Sequence, residues 1–234
     1  MKFKNIKAVF FDAADTLFYI KEGLGKTYSF PAKKYGIEAS PEEIKKSFSR
    51  HFSSAPPLAF GDVTDKERKT LEKKWWYEIV KNVYNDVGMF SDFDSYFEEL
   101  YEIFRAGAWE IFPDTKYVLS YLKEKNYKII VVSNFDSRVY DVCENLEIYD
   151  YFDDFIISSE AGFAKPDIEI FQYALEKNSL NPFECIHIGD NYLNDYISPT
   201  SLGINAVFLD REKKYHLVEN LKTIQNLTEI TEFL

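Results

Sequence analysis

The chain has 234 residues, of which 46% are apolar and 29% charged. That suits one large domain, or one domain carrying an insertion, and excludes an extended disordered chain. A formal charge of −11 opposes polyanions, so neither nucleic acid nor an anionic membrane is an expected partner.

A small anionic substrate remains compatible if a metal ion or a lysine reverses the charge locally. The aromatic side chains read as core rather than as a binding surface. Cys143 and Cys185 lie in apolar stretches without ligand spacing, which predicts buried, reduced thiols and a cytoplasmic protein. The opening MKFKNIKAVFFDAAD has no cleavage site, and no apolar run approaches about 18 residues, so neither a signal peptide nor a membrane span is expected. A monomer is compatible with the charged, Tyr-rich surface.

In chain order, the apolar run 8–11 predicts a buried strand that delivers Asp12 at its C-terminal end, followed by a polar turn with Thr16. Residues 19–107 then lack strand-like runs and contain helix starts. Ser40-Pro41-Glu42-Glu43 offers an N-cap, a first-turn proline and a capping-box acid. Thr64 with Glu67 repeats the pattern, and a further helix is expected over 91–104. The stretch ends near Phe112-Pro113-Asp114, which opens another helix.

The run 128–132 predicts a second strand, ending in Ser133 and Asn134. Their hydroxyl, amide and backbone N–H groups suit an anion or, equally, a helix N-cap. A third strand is expected at 155–157. Lys165 follows, held extended by Pro166, which is expected to open a helix. Strands at 185–188 and 206–209 complete the series, the former ending in Gly189-Asp190 with Asp195 five residues further on. Carboxylates grouped at a strand end suit a hard cation such as Mg²⁺.

Alternation of these runs with amphipathic segments predicts an α/β fold: a Rossmann-like parallel sheet with helices on both faces, formed by 1–18 and 108–234, with a helical insertion at 19–107. In a parallel sheet all C-terminal strand ends share one edge. Asp12, Ser133, Lys165 and Asp190 therefore converge on one small volume, a constellation suited to phosphoryl transfer. Gly25-Lys26-Thr27 imitates the end of a P-loop, but Ile20 stands where the first glycine is needed and no strand precedes it. His51, His187 and His216 are scattered without ligand spacing, and His187 reads as a core histidine. Trp75, Trp76 and Trp109 read as packing residues.

The order Asp12-x-x-x-Thr16, Ser133-Asn134, Lys165-Pro166 and Gly189-Asp190 with Asp195 resembles the haloacid dehalogenase superfamily across the whole core. Within it, SNFD at 133–136 and GDNYLNDY at 189–196 look most like the group named haloacid dehalogenase-like hydrolase domain-containing protein 3. The insertion resembles that superfamily's cap domain. The resemblance implies a phosphatase acting on a small phosphorylated substrate. In it Asp12 attacks phosphorus; Thr16, Ser133, Asn134 and Lys165 bind the substrate; and Mg²⁺ sits between Asp12, the carbonyl of Ala14 and Asp190, with Asp195 supporting.

The chain departs from that pattern at one place. Phosphatases of the superfamily carry an aspartate where this chain has Ala14; it protonates the leaving group and then activates the water, general acid–base work typically worth ~10²–10⁴-fold, and Ala14 can do neither. Asp15 stands one residue on, where glycine is usual, and aspartate tolerates the unusual backbone angles of such a turn. Three readings follow: a phosphatase favouring good leaving groups; a carbon-centred or C–P-cleaving hydrolase; and a phosphate-binding or regulatory protein without turnover. The C–P cleavage would need a Schiff-base lysine, for which Lys21, Lys26, Lys33 and Lys34 are available.

Overall fold

The computed structural model describes residues 2–214 and 221–234, and His216 lies outside them. Strand β1 (Ala8–Phe11) is followed by β2 (Phe18–Ile20) and by four helices: α1 (Leu24–Ala32), α2 (Pro41–Ser54), α3 (Asp65–Val87) and α4 (Phe93–Arg105). The chain continues through β3 (Trp109–Ile111), α5 (Thr115–Glu124), β4 (Lys128–Ser133), α6 (Arg138–Asn145), β5 (Asp154–Ile157), α7 (Ser158–Ala161) and α8 (Glu169–Asn178). Then come β6 (Cys185–Gly189), a π-helical turn (Tyr192–Ile197), α9 (Ser198–Ser201), β7 (Asn205–Leu209) and β8 (Thr223–Ile224).

Six strands form one parallel sheet in the order β5-β4-β1-β6-β7-β8. The five runs expected from the sequence are β1, β4, β5, β6 and β7. Side chains alternate across the sheet with the period of two that a strand imposes. Val9, Phe11, Ile129, Val131, Ile186 and Ile188 face one way, and α5 and α6 cover them with Leu119, Leu122, Val139 and Val142. Ala8, Phe10, Ile130, Val132 and Cys185 face the other way, covered by Ile170, Phe171 and Ala174 of α8. Both cysteines are free and buried, and burial pushes each thiol up to about 12. The expected α/β architecture with helices on both faces is the observed one.

The insertion helices have a core of their own, built from Tyr28, Ile44, Val80, Tyr84, Tyr96 and Leu100 among others. Thr64 and Glu67 make the full reciprocal capping box. Ser40 accepts from Glu43 N–H but donates to Glu42, so only half of that box forms. Gly25 is a packing glycine: a Cβ there would lie 2.1 Å from the Pro41 carbonyl oxygen. The P-loop imitation is thus the point where α1 meets the start of α2.

Four details differ from expectation. The helix expected at 91–104 begins at Phe93, and α8 begins at Glu169 rather than at Pro166. A short antiparallel ribbon pairs β2 with β3, so β2 runs across the expected boundary at residue 18. Strand β8 pairs with β7 at the sheet edge and has no counterpart in the sequence reading.

Candidate active site

The register of the sheet brings the candidate residues together. Phe11 lies level with Val131 on one side and with Ile188 on the other, and the ladder extends one step further as Asp12 N–H donates to the Ile188 carbonyl at 2.9 Å. Asp12, Ser133 and Asp190 therefore leave neighbouring strands at the same edge. This is where the strand order reverses, since the chain after β1 builds β4 and β5 on one side before β6 and β7 on the other.

Lys165 Nζ donates to Asp12 Oδ1 and to Asp195 Oδ1, each at 2.6 Å, and all three side chains are buried. Asn134 holds the lysine in place: its Nδ2 donates to the Lys165 carbonyl and its Oδ1 accepts from Lys165 N–H, both at 2.7 Å. Thus the amide expected to bind substrate instead clamps the backbone of Lys165, although Asn134 also borders the cavity described below. Thr16 is fully buried and its hydroxyl donates to Asp190 at 3.4 Å.

Asp195 is positioned by the π-helical turn, where its N–H donates to the Asn191 carbonyl. Its carboxylate accepts from Asn191 N–H at 3.0 Å and lies 2.9 Å from His187 Nε2. His187 is a core histidine, as expected, but only half satisfied, because its Nδ1 has no hydrogen-bond partner. Gly189 gives Asp195 its room.

The electrostatics follow from this crowding. Burial raises the Asp12 carboxyl, and Asp195 adds to the effect, against the pull of Lys165 and of the Ser133 hydroxyl beside it. Burial alone would raise Asp195 too, but Lys165 and His187 hold it below the usual carboxylate range. Burial would depress the Lys165 ammonium, yet Asp12 and Asp195 keep it above its usual value. His187 is pushed down by burial and is neutral. Asp190 is pushed up to about 8 by burial and by repulsion from Asp12, Asp195 and Asp15, which Lys165 does not offset.

Carboxylate oxygens of Asp12, Asp190 and Asp195 lie within 4.8 Å of one another. Hard oxygen donors with uncompensated negative charge fit a divalent cation such as Mg²⁺. Asp195 already holds Lys165, His187 and Asn191, so it supports such a site while Asp12 and Asp190 face it.

At Ala14 the turn presents only a methyl group. Asp15 adopts a left-handed backbone (φ 61°) and its N–H donates to the Phe18 carbonyl at 2.7 Å. This is the unusual geometry that aspartate tolerates. Ala14, Asp15, Asn134 and Lys165 help to line a cavity of about 530 Å³ that is also walled by residues of the insertion helices. Trp75, Trp76 and Trp109 all line it while packing against neighbouring rings, as expected of them. Lys21, Lys26, Lys33 and Lys34 are exposed and contribute nothing to its walls.

Sequence reasoning missed the contacts that seat the insertion on the core. Asp136 accepts from Arg138 Nε at 2.8 Å, from Arg138 Nη2 at 2.6 Å and from Trp76 Nε1 at 2.5 Å. The guanidinium also lies 4.1 Å from the Tyr101 ring centre. Glu72, fully buried on α3, accepts from the N–H and hydroxyl of Ser137, and burial raises its carboxyl. No local signal marks the contacts of Trp76 with Asp136 and of Glu72 with Ser137, because these partners are 60 and 65 residues apart in the chain.

Residues 6–202 match the profile of the haloacid dehalogenase-like hydrolases, and the chain belongs to that family. It is 28% identical to haloacid dehalogenase-like hydrolase domain-containing protein 3 of Danio rerio, covering 96% of this chain and 95% of that one. The human protein of the same name is 28% identical over 86% of this chain and 81% of its own. Two solved structures share the fold. A HAD phosphatase from Thermococcus onnurineus is 24% identical with a TM-score of 0.68, covering 97% of each chain. A 2-haloacid dehalogenase from Pseudomonas syringae is 23% identical with a TM-score of 0.65, again over 97% of each. Among the described residues, no helix is long and apolar enough to cross a membrane.

Proposed function

We propose that this hydrolase is a Mg²⁺-dependent phosphatase of a small phosphorylated metabolite, acting through an aspartyl-phosphate on Asp12. The observation that carries the reading is the cluster of Asp12, Asp190 and Asp195, whose carboxyl oxygens lie within 4.8 Å of one another, with one lysine bridging Asp12 and Asp195. Such a site gains from a divalent cation and a phosphate dianion together. A metal-free site receiving a carboxylate substrate would add to the repulsion.

Asp12 and Asp190, with the Ala14 carbonyl, would hold the ion, which when bound neutralises charge on the phosphoryl group. Asp12 is the nucleophile. Lys165 favours its ionised form and faces the phosphoryl oxygens, and Ser133 and Thr16 contribute hydroxyls at the same strand ends. Asn134 fixes the height of Lys165 through its backbone. The helical insertion serves as the cap that selects the substrate.

The test is p-nitrophenyl phosphate hydrolysis in Mg²⁺ and in EDTA, for wild type and Asp12→Asn. Turnover that needs both the metal and Asp12 supports the reading, and its absence sinks it. Ala14 favours a second reading, a dehalogenase-type hydrolase that needs no acid at this position. Halide release from 2-chloropropionate in EDTA would support it.

A further inference from the structure

We infer that the leaving group is aromatic, so that the substrate is an aryl phosphomonoester; this rests on the phosphatase reading. Two independent features point the same way. One is the wall of the cavity that Lys165, the partner of Asp12, helps to line, and the other is the missing acid at position 14.

The cavity has the volume of a site for a drug-sized organic group. Its walls are rings: Phe48, Phe52, Trp76, Tyr101, Trp109 and Phe135 all border it. Phe48 and Phe52 stack at 5.2 Å, and Trp76 lies within 11° of parallel to Phe48. Flat faces of this kind receive another flat apolar group by offset stacking and edge contacts. The charged residues lining it are Asp15, Lys165 and Arg138.

The indole and guanidinium donors in the wall are already engaged. Arg138 is paired with Asp136, Trp76 Nε1 donates to Asp136, Trp75 Nε1 to the Pro56 carbonyl, and Trp109 Nε1 to the Phe104 carbonyl. A sugar or a polyol placed here would lose its water and regain few of its hydrogen bonds. The Tyr28 and Tyr101 phenols, raised by burial, remain neutral and suit an uncharged polar substituent on a ring.

The chemistry agrees. An oxygen of the Asp12 carboxylate forms a bond to phosphorus while the bond from phosphorus to the aryl oxygen breaks, its electron pair leaving on that oxygen. A phenol ionises near pH ~10, several units below an alkanol, so a phenolate departs without a proton from the residue that Ala14 replaces. It then takes a proton from solvent. Water next attacks the aspartyl-phosphate phosphorus and gives its proton to solvent, since Ala14 offers no base; the bond to Asp12 breaks and inorganic phosphate leaves, so that ester plus water gives phenol plus phosphate.

The experiment compares kcat/KM for 2-naphthyl, phenyl and acetyl phosphates and glucose 6-phosphate, with Mg²⁺, beside Asp12→Asn. The expected order places 2-naphthyl phosphate first, about tenfold above phenyl phosphate because it buries a second ring. It also stands at least about a hundredfold above glucose 6-phosphate, whose alkoxide needs an acid. Phe48→Ala or Phe52→Ala lowers the ratio of naphthyl to acetyl turnover about tenfold. If those variants do not fold, inhibition of wild type decides: competition by 2-naphthol and none by glucose supports the inference, and the reverse overturns it. Asp12-dependent turnover of acetyl phosphate or glucose 6-phosphate as fast as the naphthyl ester overturns the aromatic leaving group and leaves the phosphatase standing. No Asp12-dependent turnover of any of the four overturns both.

Discussion

A side chain at Gly189 and the carboxyl of Asp195 cannot occupy this structure together: a Cβ on the glycine would lie 2.3 Å from Asp195 Cγ. Asp195 is also the group that shares Lys165 with Asp12. We expect Gly189→Ala to displace the carboxylate, lower stability by about 1–3 kcal/mol and reduce turnover more than thermal stability alone accounts for. Urea unfolding and assay of the folded fraction check this, and an unchanged kcat would contradict it.

Asp190 links metal binding to pH. Its carboxyl is raised to about 8 in the folded metal-free protein, so between the ordinary carboxylate range and pH 8 the folded state holds a proton that the unfolded chain has lost. Stability from this group therefore falls as pH rises through that window. Asp190→Asn removes the penalty, and its Tm advantage over wild type should grow from pH 5 to pH 8, reaching at least about 2–4 °C.

The same proton must leave when Mg²⁺ binds. Affinity should rise with pH up to about 8 and then level off. Calorimetry in buffers of different ionisation heats should report proton release at pH 7 and little at pH 9. Release that does not change with pH would argue against Asp190 as a ligand.

His187 works in the opposite direction. Burial lowers its pKa in the folded state, so below about pH 6.5, where an unperturbed histidine charges, the unfolded chain binds a proton that the folded protein refuses. Stability is then lost on acidification, by up to ~1.4 kcal/mol per pH unit for one proton. His187→Gln can still donate to Asp195 and should flatten the loss between pH 7 and 5. Urea midpoints at the two pH values measure it.

The Asp136–Arg138 pair offers a test of how the insertion is seated. Arg138→Leu leaves Asp136 buried without its partner and should cost about 3–5 kcal/mol. Adding Asp136→Asn should recover much of that, because the uncompensated charge is gone. A double variant as unstable as the single one would mean that the contact with Tyr101 and Trp76, rather than the ion pair, holds α6 in place.

The sheet was legible in the sequence because its strands are buried on both faces and read as nearly continuous apolar runs, 8–11 and 206–209 above all. The Thr64–Glu67 cap was legible because its partners are three residues apart. Asp12, Ser133, Lys165 and Asp190 were placed together by the common edge of a parallel sheet. The ribbon of β2 and β3 was not legible, since three-residue strands carry no period. Nor was the clamp of Asn134 on Lys165, where a side chain that could meet an anion meets a backbone instead. The cavity was the largest omission. Its walls come from insertion helices, the ribbon and the loop after β4, and aromatic content gave no sign that several rings would face inward onto open space.

The two buried thiols have a practical consequence. With Cys143 and Cys185 enclosed and pushed up to about 12, the native chain offers almost no thiolate to an alkylating label at neutral pH. Cysteines introduced at Met89, between α3 and α4, and at Tyr149, between α6 and β5, occupy exposed sites. They would accept a pair of spectroscopic probes without first stripping the background. The spacing between the insertion and the sheet could then be followed in solution while a ligand is titrated in, using the wild-type sequence with two changes.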